Sequence, residues 1–82
     1  MNTQPQPAPH FAVCIRNEGN PESLDVGKLY QVLPDPKAER LEMIRVIDES
    51  GEDYLYPQDY FLEVSLSPQQ EETLRTVLRL AS

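Results

Sequence analysis

Residues 52–64 read EDYLYPQDYFLEV. Two short runs of β-favouring residues, 52–56 and 60–64, are parted by Pro57-Gln58-Asp59. A proline cannot donate into a ladder, so Pro57 ends the first run. The pattern predicts two strands, the second very short, with Tyr54 and Tyr56 on one face of the first. Immediately upstream, Asp48-Glu49-Ser50-Gly51 has the composition of a hairpin loop, and Gly51 is the natural left-handed residue to close it. Before that, residues 41–47 (LEMIRVI) form a third strand of branched residues. Its alternation is imperfect: Leu41 and Met43 fit one phase, Ile44 and Val46 the other. A two-sided strand or a bulge accounts for that.

Towards the N-terminus, residues 11–16 (FAVCIR) and 28–33 (KLYQVL) read as two further strands. In the first, Phe11, Val13 and Ile15 share one face and Ala12, Cys14 and Arg16 the other. In the second, Tyr30 and Val32 lie together. Between them, residues 17–23 (NEGNPES) are a polar loop, followed by Leu24, Val26 and Gly27. Pro34-Asp35-Pro36 ends the KLYQVL strand. Past the last strand, Ser67-Pro68-Gln69-Gln70 carries a capping residue, a proline at the first helical position and a glutamine at the third, the capping-box arrangement. Leu74, Val77, Leu78 and Ala81 follow at helical spacing. A helix of this length is marginal alone in water, so its stripe must cover the chain's own sheet, a second copy or a partner.

With 82 residues, the chain is one small domain. Fourteen acidic against seven basic side chains leave a net charge of −7, which argues against nucleic acid and against anionic lipid. One cysteine excludes an internal disulfide framework. Residues 1–9 (MNTQPQPAP) have neither a basic start nor an apolar core, so they do not read as a secretory signal, and the expected compartment is the cytoplasm. Their alternating prolines predict a disordered tail over residues 1–10, since no two stand three apart as a proline-rich ligand needs.

Five short strands joined mostly by hairpin-length loops predict a mainly β fold, a small meandering barrel over residues 11–64, with a C-terminal helix over 65–82. The stretch EDYLYPQDYFLEV resembles the last segment of SH3 domains, where a hairpin is followed by an apolar residue, proline, two polar residues, tyrosine and an apolar strand. Leu24-x-Val26, Gly27 and the strand after them resemble the same family's pattern beyond its first long loop. A core reading RVIDESGEDYLYP is also similar to that of small uncharacterised bacterial proteins. The resemblance implies a five-stranded SH3-like barrel in which Tyr56 and Phe61 are buried while Leu55, Pro57 and Tyr60 line a ligand groove. The family's groove tryptophan is absent; Leu41 or Met43 stands in that region.

The candidates for chemistry are few. Cys14 shares a strand face with His10, but a lone cysteine among apolar neighbours reads as a small core residue. Asp48, Glu49, Glu52 and Asp53 crowd one hairpin, at a spacing that fits no calcium loop, and read as a solvated, charge-protected tip. No zinc spacing, phosphate loop or nucleophile–base–acid set appears, so neither a cofactor, a metal nor an enzymatic activity is expected. From Ile47 to Thr73 there is no Lys or Arg, while eight carboxylates and three of the four tyrosines lie there. The expected function is a small non-enzymatic module that binds a protein or peptide. Leu55, Pro57 and Tyr60 would supply apolar contact, and Asp48, Glu49, Glu52, Asp53 and Asp59 the charge. The alternative is a structural subunit, monomer or weak homodimer, assembled through Leu74, Val77 and Leu78.

Overall fold

The structure, a computed structural model, describes residues 11–81. The tail expected over residues 1–10, with His10, lies outside the described residues. The strands are β1 (Phe11–Cys14), β2 (Leu29–Leu33), β3 (Met43–Ile47), β4 (Asp53–Pro57) and β5 (Phe61–Val64). Helix α1 (Pro36–Arg40) joins β2 to β3, a 3-10 turn (Gln58–Tyr60) joins β4 to β5, and α2 (Pro68–Ala81) ends the chain. All neighbouring strands are antiparallel, and the sheet order is β4-β3-β2-β1-β5.

Alternation decides which side chains enter the core. Tyr30 and Val32 of β2, Ile44 and Val46 of β3, Tyr56 of β4 and Phe61 of β5 are buried together. β1 turns its small residues, Ala12 and Cys14, to this core, while Phe11 is fully buried on the opposite face. Leu24, from the β1–β2 connection, is fully buried in the core with Ala12 and Cys14.

The sheet curls because β2 changes partners along its length. Leu29 to Gln31 pair with β1, whereas Val32 and Leu33 pair with β3. The curl brings the two edge strands together: Tyr56 on β4 and Phe61 on β5 have ring centroids 6.3 Å apart. In a flat sheet four strand spacings would part them by about 19 Å. β4 and β5 nonetheless do not pair, so the barrel expected from the sequence is not closed. The physical reason lies in the 3-10 turn. It carries the chain between the edges and commits nearby backbone groups elsewhere. The Gln58 N–H donates to the Glu42 carbonyl (3.0 Å), the Phe61 N–H to Gln58, and the Tyr60 carbonyl accepts from Ile15 (2.8 Å).

Two expectations change in the β2–β3 connection. Pro34-Asp35-Pro36 does more than stop a strand. Asp35 caps α1 by accepting from the Ala38 N–H (3.0 Å), and Pro36 opens the helix. Leu41 is the C-cap of that helix, and β3 begins only at Met43 after Glu42, whose φ is +58°. The phase conflict in LEMIRVI is thus a helix end followed by a strand, with neither bulge nor two-sided strand.

The hairpin and the C-terminal helix form as their residues dictate. Gly51 takes φ +85° and donates to the Asp48 carbonyl (3.0 Å). At α2 the Gln70 N–H donates to Ser67 Oγ (3.1 Å) while Gln70 Oε1 accepts from the Ser67 N–H (2.9 Å), the reciprocal capping box.

Leu24 pins the long β1–β2 connection to the core. Its carbonyl accepts from Asn17 Nδ2 (2.9 Å) and its N–H donates to the Asn20 carbonyl. Leu24→Ala should cost about 2–5 kcal/mol, read as a lower urea midpoint with an unchanged slope. A cost well under about 1 kcal/mol would take Leu24 out of the core.

Candidate functional site

The acidic hairpin is internally satisfied. Asp48, expected at a solvated tip, is buried at 6% exposure. Its carboxylate accepts from the Tyr56 hydroxyl, from Ser50 Oγ (2.6 Å) and from the Ser50 N–H (2.8 Å). Burial alone would push this carboxyl up, but the bonds from Ser50 and Tyr56 together outweigh it and hold it below the usual aspartate range. The Tyr56 phenol is pushed up to about 12 by burial and by its bond to Asp48. Glu49 accepts from Lys28 Nζ and from the Tyr30 hydroxyl, which hold its carboxyl low. Asp53 holds Arg45 (2.8 Å), whose guanidinium also bonds Asp35 (2.9 Å). Glu52 accepts from the Tyr54 hydroxyl (3.4 Å). Asp48 and Glu52 thus bond within the hairpin and its return strand, whereas Glu49 ties it to β2 and Asp53 reaches Asp35 through Arg45, and the Glu49 N–H adds a bond to the Ser23 carbonyl (3.0 Å).

The other candidates separate along β4. Leu55, 40% exposed, lies opposite Arg45 on the outer face. Pro57 lies opposite Met43, about 13 Å along the strand from Asp53. Tyr60 is half-buried against the core, donates its hydroxyl to the Glu18 carbonyl (2.8 Å), and carries the Arg16 guanidinium over its ring at 5.4 Å. Arg16 in turn reaches Asp59 (3.3 Å) and Glu18 (3.2 Å). Tyr60 therefore fastens the β1–β2 connection to the 3-10 turn.

Pro57 and Asp59 instead join Leu41, which the resemblance places in the region of the missing tryptophan, and Glu42, Leu62 and Glu63, which the sequence reading did not offer as apolar contacts or charge for a partner. An open concavity of about 740 Å³ lies between the start of β3, the 3-10 turn and β5. Its apolar lining comes from Leu41, Ile44, Pro57, Phe61 and Leu62. Its charged lining is Glu42, Asp59 and Glu63, with no Lys or Arg. Leu41 and Leu62 are 70% and 59% exposed, the two highest values among the large apolar side chains described. Glu42 and Glu63 have no ion-pair partner among the described residues. Glu42 is also the one described non-glycine residue with a positive φ, a strained backbone of the kind that gathers at working sites. The signal that could have found this place is Leu41 standing past a capped helix, and Leu62-Glu63 on an edge strand.

On α2, Leu74 and Leu78 are half-buried and Val77 is 51% exposed. Leu78 borders the same hollow as Leu29 and Gln31 of β2, and Leu74 the same hollow as Leu66. Cys14 is fully buried; burial pushes its thiol up, and Sγ donates to the Arg16 carbonyl (3.2 Å). Among the described residues no group of three or more His, Cys, Asp or Glu is placed to hold a metal, and no helix is long and apolar enough to cross a membrane. Comparison with protein-family models, curated proteins and solved structures gives no match.

The Asp48 carboxyl, held low in the folded chain, contributes stability in full above the ordinary aspartate pKa. That contribution is lost as pH falls through the depressed folded value. Tyr56→Phe removes one of its donors. It should cost about 1–3 kcal/mol at neutral pH and move the Asp48 carboxyl titration upward, as followed by carbon-13 NMR. An unmoved titration would show that the phenol does not hold that carboxylate.

Proposed function

We propose that this chain is a small, non-enzymatic protein-binding module with an SH3-like fold. The reading of the fold rests on three features together. They are the strand order β4-β3-β2-β1-β5, the long connection between β1 and β2, and a single 3-10 turn before β5. Tyr56 and Phe61 are buried, as the family resemblance implies.

One observation carries the reading of function. The two most exposed large apolar side chains among the described residues, Leu41 and Leu62, flank a concavity that Pro57 helps to line. Clustered apolar exposure rimmed by charge marks interaction surfaces on small proteins. A proline-rich ridge is not the ligand that this surface favours. The residues of the expected groove are divided, with Tyr60 engaged by Arg16 and Glu18 and Leu55 on the outer face. The concavity instead offers an apolar floor and an acidic rim, so the partner is a protein segment that presents apolar side chains. The net charge of −7 speaks against a nucleic acid as that partner.

Selection of random peptides displayed on phage, against the full chain, tests this. Binders should emerge, and the double variant Leu41→Asp/Leu62→Asp should lose them while keeping its circular dichroism and melting midpoint. Failure to select any peptide, or binders indifferent to the double variant, would remove the concavity as the site.

A further inference from the structure

We infer that the partner segment binds as an added strand on the free edge of β5, and that it alternates apolar and basic residues. This rests on the reading of the concavity as the binding site and specifies the mode and chemistry of the occupant.

The backbone register determines what the edge offers. Cys14 directs both its backbone groups towards β2, donating to Lys28 (2.9 Å) and accepting from Gly27 (2.7 Å). Alternation then turns Val13 to β5, where its partner is Leu62. Leu62 and Val64 therefore point their N–H and C=O groups at β1, and Glu63 points its own away from the sheet. β5 is the end of the strand order, so among the described residues these groups face an open edge. The Phe61 N–H is already committed to Gln58. Glu63 is thus the residue at which a new strand would form its pair of hydrogen bonds.

Side-chain alternation then sets the partner's sequence. Glu63 shares its face with Phe61 and looks into the concavity beside Glu42 and Asp59. The added residue opposite Glu63 points the same way and meets this acidic rim. Only Arg or Lys is favourable there, because like charges placed opposite each other are destabilising. Its two neighbours point to the outer face, one opposite Leu62 and the other opposite Val64, and are apolar. Glu63 also disfavours pairing of this edge with a second copy of itself. A charge turned inward on an edge strand rejects an unselected apolar strand, and here it admits a basic one. The occupant is a protein segment of apolar–basic–apolar pattern.

The probe is a short synthetic peptide of alternating valine and lysine, compared with one of alternating valine and glutamate. Binding is followed by amide NMR and fluorescence anisotropy on the full chain. The lysine peptide should bind, move the Leu62 and Glu63 amides, and slow exchange of the Glu63 amide. N-methylation of the peptide nitrogens on the pairing edge should abolish it, since only strand addition needs them. Glu63→Lys should weaken the lysine peptide by about fivefold and reverse the preference. Binding that survives N-methylation or leaves the Glu63 amide unprotected would overturn strand addition. If phage-selected peptides still require Leu41 and Leu62, the concavity stands as the site and only the mode falls. If neither peptide binds and no selected peptide depends on those leucines, both readings fall.

Discussion

The contact of Tyr56 with Phe61 is the constraint on which the rest of the domain depends. It joins the two ends of a five-stranded sheet that share no hydrogen bonds. Tyr30 completes the cluster, edge-on to Phe61 at 6.3 Å. Each of the two buried tyrosines then passes its hydroxyl to a hairpin carboxylate, Tyr56 to Asp48 and Tyr30 to Glu49. Tyr30 also accepts from the Asp25 N–H (2.7 Å). The aromatic bodies supply apolar burial, and their polar tips fix the hairpin and the long β1–β2 connection to it. A sheet held this way does not need backbone pairing between β4 and β5 to keep its ends together.

Much of the fold is legible in local residue chemistry. Gly51 closes its hairpin, Ser67 and Gln70 start α2, and Tyr30, Val32, Ile44 and Val46 alternate into the core. Each of these depends on neighbours within a few positions. The same local rules could have found α1, because Asp35 followed by Pro36 is a cap and a first helical position. Reading the prolines only as breakers hides that helix and lends Leu41 to a strand it does not belong to.

The remaining features are tertiary and leave no local trace. Asp48 looks like a solvated tip until Tyr56, eight positions on, donates to it. Tyr60 looks like a free binding residue until Glu18 and Arg16 reach it from the β1–β2 connection. The concavity assembles one residue from a helix end, others from a 3-10 turn and others from an edge strand, so no single segment announces it. The acidic character was visible in composition, but which carboxylates are spoken for depends on where Lys28, Arg16 and Arg45 reach.

The 3-10 turn has a consequence for assembly. β3 and β4 meet through a short hairpin, whereas Arg16 and Asp59, beside the β1–β5 junction, are 43 residues apart in the chain. Bringing such distant segments together carries a larger loss of chain entropy than closing the hairpin. Leu41, Pro57 and Leu62 lie within a single stretch of chain, where the pairing of Met43 with Pro57 and the bond from the Gln58 N–H to the Glu42 carbonyl draw them together. The concavity is therefore set by one compact stretch, residues 41–63, and the long β1–β2 connection is fastened to it through Tyr60 and Arg16.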